Sequence, residues 1–188
     1  MKSTGSPTEQ ALLARAREGD EQAFRLLVQR HEQMVRGTVI GMLGKTPEAE
    51  DVALEVFVKL HEKLTDFRGD AKLSTYLVRI AVNLSINEQK RRQRKHRRLR
   101  PLDSDTKTFQ VEDAAANPGR FDLRDALRKA LAQLDTDFRA VVVLRLIQGY
   151  SVRETADILD LPMGTVASRL ARAQRQLQEI LKNSGFYP

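Results

Sequence analysis

A chain of 188 residues with 41% hydrophobic and 30% charged side chains can bury a core, and its length suits one domain or two small ones. It contains no cysteine, which excludes disulfides, thiolate metal sites and cysteine nucleophiles and makes the cytoplasm the default compartment. No apolar signal core follows Met1, and no apolar run approaches the roughly 20 residues of a membrane-spanning helix, so neither export nor membrane insertion is expected.

In chain order, Gly19-Asp20 reads as one helix stopping and the next being capped, after which Phe24, Leu27, Val28, Val35, Val39 and Met42 recur at helical spacing. Gly41 and Gly44 are expected to weaken the end of that helix. Thr46-Pro47-Glu48-Ala49-Glu50-Asp51 is a strong helix start: a hydroxyl cap, a proline where its missing N–H does no harm, then acids facing the helix dipole. Val52, Val56, Leu60 and Leu64 follow as its apolar stripe. Phe67-Arg68-Gly69-Asp70 predicts a turn, and a further helix through Tyr76, Leu77, Ile80, Ala81 and Leu84 runs on into a basic segment.

That segment holds the charge. Between Glu88 and Arg100 stand eight Lys or Arg against one Glu, which equals the whole net charge of +7 and leaves the remainder of the chain neutral. Concentrated cation beside neutral domains favours a polyanion, because each neutralised phosphate releases counterions. A solvated tail or a membrane-surface patch is the other reading of such a run.

From 101 to 120 the apolar periodicity fades and Pro101, Asp103, Asp105, Glu112, Asp113, Pro118 and Gly119 accumulate, the profile of an acidic linker. This divides the chain into an N-terminal helical bundle over 1–100, a flexible linker over 101–120 and a C-terminal domain over 121–188. The fold class expected is all-α, two small helical bodies held apart by the linker. In the second body Leu123, Leu127, Leu131 and Leu134 mark one helix, and Phe138, Val142 and Leu146 keep a four-residue step along the next, closed by Gly149.

Ser151-Val152-Arg153-Glu154 fits a capping box and opens a short helix to Leu159. Asp160-Leu161-Pro162 interrupts it, and Val166, Leu170, Ala173, Leu177 and Leu181 then share one face of a longer helix. The opposite face carries Thr165, Ser168, Arg172 and Arg175, with Arg169 at its border: short hydroxyls and long cations, a surface suited to the major groove. Capping box, three-residue turn and polar face together predict a helix-turn-helix of four-helix type rather than an ordinary helical hairpin.

Catalysis is not expected. His31, His61 and His96 are isolated, and neither a Gly-rich phosphate loop nor an H-E-x-x-H motif occurs. No catalytic residue, cofactor or metal site is assigned.

The segments Gly149-Tyr150-Ser151, Glu154-Thr155-Ala156 and Gly164 through Ala173 resemble the C-terminal domain of bacterial RNA polymerase sigma factors of the extracytoplasmic-function (ECF) subgroup. Glu50-Asp51-Val52, Glu55-Val56-Phe57, Phe67 to Asp70 and Leu77 to Asn83 resemble the subgroup's N-terminal domain in the same order, and the likeness spans about Glu9 to Leu181. It implies a factor that binds core RNA polymerase and directs promoter recognition and transcription initiation, the first domain opening and reading the −10 element and the second reading the −35 element.

By that resemblance, Phe67, Arg68, Asp70, Lys72 and Tyr76 form a base pocket, and Arg79, Asn83, Asn87 and Lys90 a polar stripe beside it, with Asn83 on the captured base. Stacking platforms, hydrogen-bonding amides and cations along the backbone are what a melted strand requires. Tyr76 stands where the family usually has Trp, which weakens the stacking. Thr165, Ser168, Arg169, Arg172 and Arg175 become the −35 readers. Ala167 and Gln174 replace residues that are commonly basic, which implies a departure from the usual −35 preference.

Glu50, Asp51, Leu54, Glu55 and Val58 become the polymerase-docking face, with Leu54 where Gln is frequent; dipole complementation at the helix start also accounts for Glu50 and Asp51. The acidic linker either threads polymerase channels as a phosphate mimic or serves as a soluble tether. Promoter DNA and core polymerase are the partners implied, with an anti-sigma factor as the family's common regulator. The alternative from another class is a free-standing helix-turn-helix regulator, which would bind duplex DNA unaided.

Overall fold

The computed structural model describes residues 7–67, 69, 71–99 and 123–184, and side chains within these except at 96–99 and 123–125. Among them are eight α-helices and no strand: α1 (Glu9–Arg17), α2 (Glu21–Leu43), α3 (Pro47–Glu62), α4 (Leu73–Leu99), α5 (Leu123–Gln133), α6 (Thr136–Val142), α7 (Val152–Leu159) and α8 (Met163–Asn183). The all-α class is as predicted. Arg68, Asp70 and the linker acids lie outside the described residues.

Helix starts follow local chemistry. Asp20 caps α2, its Oδ1 accepting from the N–H groups of Gln22 at 2.9 Å and Ala23 at 3.0 Å. The Ala23 N–H and the Arg15 guanidinium hold the Asp20 carboxyl below its ordinary pKa. Thr46 caps α3 with Pro47 in its first turn. Gly44 ends α2 at φ +78°, a backbone that glycine adopts without Cβ strain. Helix α2 runs through Gly41 to Leu43 and stops at Gly44, and a Cβ on Gly41 would lie 2.9 Å from Val143 Cγ2.

Helix α2 is the axis of the N-terminal unit, packed against α1, α3 and α4. Leu27, Val35, Val39 and Met42 of α2, Val56 and Leu60 of α3, and Leu73, Leu77, Val78 and Ala81 of α4 are buried together. Most of the predicted stripes are therefore core. In the C-terminal unit α8 packs on α5, α6 and α7, burying Ala130, Leu131, Leu134, Val142, Ala173 and Leu177 in one cluster and Val141, Ala156 and Val166 in another.

Helix α6 does not keep its four-residue step. It passes into a π-helical segment, Val143–Ile147, whose extra residue per turn rotates the chain so that Val143 and Leu144 are fully buried while Leu146 is 53% exposed. The sequence periodicity therefore named Leu146 where Leu144 does the packing.

The two units are not held apart. Ala140, Val143, Leu144 and Ile158 of the second belong to the same buried cluster as the core of the first. Arg139 lies at this junction, 6% exposed, its Nη1 donating to the Met42 carbonyl at 2.7 Å and its Nη2 to the carbonyls of Ala132 at 2.7 Å and Leu134 at 2.9 Å. Burial pushes its pKa down to about 10, with Asp135 opposing, which leaves it charged at neutral pH.

Candidate nucleic-acid interface

Helix α4 places the predicted stripe. Burial of Leu73, Leu77, Val78, Ala81, Val82 and Ser85 fixes its rotation, and Arg79, Asn83, Asn87 and Lys90 then all face outward and are exposed. Tyr76 is half-buried, its ring centroid 5.0 Å from that of Phe67 at a 45° tilt. Phe67 itself is buried and Lys72 exposed. Of the predicted pocket, the described part is thus a Phe67-supported Tyr76 beside an open polar stripe. The Arg79 guanidinium donates to the Asp157 carbonyl of α7.

A network that sequence reasoning missed anchors the far half of α4. Glu88 is buried and accepts from Arg91 at 2.7 Å and Arg92 at 3.2 Å, while Arg92 Nη2 reaches the Thr46 hydroxyl at 2.8 Å and Glu48 at 3.0 Å. The α3 cap and the basic segment are thereby joined. The signal was available: Glu88 is the lone acid of the cationic run. Between α3 and α4, Glu48, Asp51, Val52, Glu55, Leu84, Asn87, Glu88 and Arg91 line a shallow groove.

On α3, Glu50, Asp51 and Glu55 are exposed, and Leu54 and Val58 stand out of the surface at 66% and 47% exposure. Glu50 is paired with Arg36 at 2.8 Å. Apolar side chains exposed beside acids form a surface that a partner can dehydrate.

Helices α7 and α8 with the turn between them form the predicted helix-turn-helix. Its capping box is complete: the Glu154 N–H donates to Ser151 Oγ at 3.1 Å and the Ser151 N–H to Glu154 Oε2 at 2.8 Å. The Ser151 N–H, and after it the Ser151 hydroxyl, hold the Glu154 carboxyl below its ordinary value near 4.5. A carboxylate with a depressed folded pKa adds stability above its unfolded pKa and loses it as pH falls through the folded one. Replacing Glu154 by Gln, which keeps an acceptor but no titration, should therefore flatten the decline of the urea midpoint between about pH 5 and pH 3.

The turn is made by Asp160 at φ 54° and ψ 52°, a left-handed conformation that costs most L-residues about 1–2 kcal/mol and Asp less. In thermal unfolding, Asp160→Val should lower stability by about 1–2 kcal/mol while Asp160→Gly leaves it level or slightly raised. Equal behaviour of the two variants would mean that the turn does not hold this backbone.

On α8, Ser168, Arg172 and Arg175 are exposed on the side opposite Val166, Ala173 and Leu177, while Thr165 and Arg169 are half-buried at the borders of that face. Arg169 is paired with Asp137 at 2.8 Å. Among the described residues no ion pair engages Arg172 or Arg175, so both guanidinia are open to a new partner. The replacements Ala167 and Gln174 are exposed on the same helix.

Neither described histidine joins a reactive group: His31 Nε2 lies 2.8 Å from Glu9, and His61 meets Phe24 edge to face at 5.0 Å. Among the described residues no cluster of His, Asp or Glu could hold a metal ion, and no helix is long and apolar enough to cross a membrane.

A helix-turn-helix with an exposed cationic face, packed beside a helical unit with its own outward polar stripe, is the arrangement of a nucleic-acid-binding protein. Residues 27–95 match the Sigma-70 region 2 family and residues 124–177 the Sigma-70 region 4 family. The chain belongs to the ECF subgroup of bacterial RNA polymerase sigma factors, non-enzymatic initiation factors that direct promoter recognition. It is 34% identical over 186 residues to the RNA polymerase sigma-H factor of Pseudomonas aeruginosa, a span covering 93% of this chain and 94% of the relative. With the ECF RNA polymerase sigma-E factor of Escherichia coli K12 it shares 34% over 182 residues, 90% and 92% of the two chains. A co-crystal structure of the sigma factor RpoE with the anti-sigma factor NepR from Bartonella quintana matches at TM-score 0.68 and 28% identity, over 85% of this chain and 96% of that one.

Proposed function

We propose that this sigma factor divides promoter reading between α4 and α8 and docks on core polymerase through α3. The observation that carries the division is the outward, exposed placement of Arg79, Asn83, Asn87 and Lys90 on one unit and of Ser168, Arg172 and Arg175 on the other. In this reading the 1–100 unit captures bases of the melted −10 strand, with Tyr76 as stacking surface, Asn83 as hydrogen-bonding group and Arg79, Lys90 and Lys72 on the backbone. Phe67 supports Tyr76, and Arg68 and Asp70 belong to the same −10 set. The 121–188 unit reads duplex −35 DNA with Thr165, Ser168, Arg169, Arg172 and Arg175. Glu50, Asp51, Leu54, Glu55 and Val58 form the polymerase surface.

The site of action is then the cytoplasm, where polymerase and promoter are. The anti-sigma complex of the Bartonella relative supports control of this chain by a partner of that kind. In vitro transcription with purified core polymerase on a promoter library tests the reading: initiation from one consistent pair of elements supports it, and unaided tight binding to duplex DNA without polymerase-dependent opening would favour a free-standing regulator. Within that assay, Asn83→Ala should lower −10 discrimination while leaving core affinity intact. The reverse pattern would mean that the faces of α4 are assigned backwards.

A further inference from the structure

Helix α1 carries none of the proposed reading or docking residues, yet it is fixed along its length. Leu12, Leu13 and Ala16 seat it in the core of the N-terminal unit. At its start Glu9 meets His31 Nε2 at 2.8 Å, and at its end Arg15 pairs with the α2 cap Asp20 at 2.7 Å. From this mount Arg17 reaches a distant stretch of chain: its Nε donates to the Leu64 carbonyl at 3.2 Å and its Nη2 to the Phe67 carbonyl, 47 and 50 residues further on.

Both carbonyls lie just beyond the C-terminus of α3, where the chain leaves for the proposed −10 residues. In that turn the N–H groups of Asp66 and Phe67 donate to the Lys63 carbonyl at 3.1 and 3.0 Å. Carbonyls at a helix end need donors from elsewhere, and a cation there complements the helix dipole. The planar guanidinium supplies two such donors at a fixed spacing. Phe67 is thereby held twice, its carbonyl by Arg17 and its buried ring by the core and by Tyr76, with ring centroids 5.0 Å apart. A binding constellation has to be held within roughly 0.5 Å by packing and hydrogen bonds from behind.

We propose that Arg17 is a positioning residue for −10 capture: its grip on two carbonyls fixes the exit of α3, and with it the Phe67 and Tyr76 rings beside which a base of the melted strand stacks. Arg17 itself touches no DNA. The proposal rests on the −10 assignment of Tyr76 and Asn83.

Two variants test it. Arg17→Met keeps the aliphatic stem and removes every donor, and Arg17→Lys keeps a single ammonium in place of the fork. Arg17 is exposed, and substitutions at exposed positions usually move stability little. Holoenzyme assembled from core polymerase and each full-length variant is assayed for initiation on templates with single-base changes in the −10 element and, separately, in the −35 element. For Arg17→Met, the preference for the best −10 sequence over its single-base variants should fall at least about fivefold, the low end of the discrimination one base contact supplies. Discrimination at the −35 element and affinity for core polymerase should stay as in the natural chain. Arg17→Lys should fall between, because one ammonium cannot hold both carbonyls as the fork does. A merely structural role would move all three readouts together or none.

Undiminished −10 discrimination in Arg17→Met would overturn the proposal, and so would a loss that extends equally to the −35 element or to core affinity. If Arg17→Met lacks native helical circular dichroism, Arg17→Lys decides: reduced −10 discrimination with the other two readouts unmoved supports the grip, and natural discrimination overturns it. Asn83→Ala in the same assay separates the two levels. If it lowers −10 discrimination and Arg17→Met does not, only the positioning role falls; if neither does, the −10 assignment falls with it.

Discussion

Replacing Arg139 by alanine is expected to be strongly destabilising, costing about 2–5 kcal/mol by the measure of other large buried side chains. The side chain is 6% exposed, and its two terminal nitrogens satisfy the carbonyls of Met42, Ala132 and Leu134. Truncation opens a cavity and also removes the side-chain donor to the Ala132 and Leu134 carbonyls, a loss of about 1–3 kcal/mol for each buried group left unpaired, while the Met42 carbonyl keeps Gln89 Nε2 at 3.0 Å. Against a typical domain stability of about 5–15 kcal/mol, that is a large fraction. Lysine should rescue poorly, because one ammonium cannot reproduce a planar fork reaching three acceptors. Methionine, which restores volume without the hydrogen bonds, should fall between alanine and the natural residue. Urea unfolding followed by circular dichroism orders the variants, and an alanine variant with an unchanged midpoint would show that the buried guanidinium contributes nothing.

Arg139 also shows where sequence reading stops. Helix starts are set by residues within one turn, so Asp20, Thr46-Pro47 and Ser151-Glu154 were legible, and so were the stripes at helical spacing. The helix-turn-helix was legible because capping box, turn and two-faced helix are all local. Arg139 sits in an otherwise apolar run, and its partner Met42 is 97 residues away in the chain; nothing nearby signals that a cation there will be buried. Leu146 was misread for a related reason, since the π-turn that exposes it is settled by packing of Val143 on α2 and not by local propensity. Gly41 could be read only for its weak helix propensity because the Val143 side chain that fills its space comes from the other unit. The reading stripes, by contrast, could be placed from helical geometry alone, and Asn83, Arg172 and Arg175 are exposed as that geometry requires.

The second large effect concerns specificity. Arg172→Ala should weaken promoter engagement by about 1–3 kcal/mol if the guanidinium reads a base edge, which at roughly 1.4 kcal/mol per decade is about 5- to 150-fold in affinity. Arg172 is exposed on the same face as Ser168 and Arg175, and with no ion pair to break among the described residues the binding energy is not spent on releasing it. Arg169 differs: its bridge to Asp137 at 2.8 Å must yield before it can contact DNA, so its loss should cost less. The two ways Arg172 could act separate experimentally. A base reader loses affinity for one −35 variant and gains tolerance for others. A phosphate contact weakens all sequences alike and reduces the salt slope by about one. Holoenzyme formed with the variant, assayed on a library randomised at the −35 element over a range of salt, distinguishes them. Unchanged preference with unchanged salt slope would remove Arg172 from the reading surface and leave Arg175 and Ser168 to carry it.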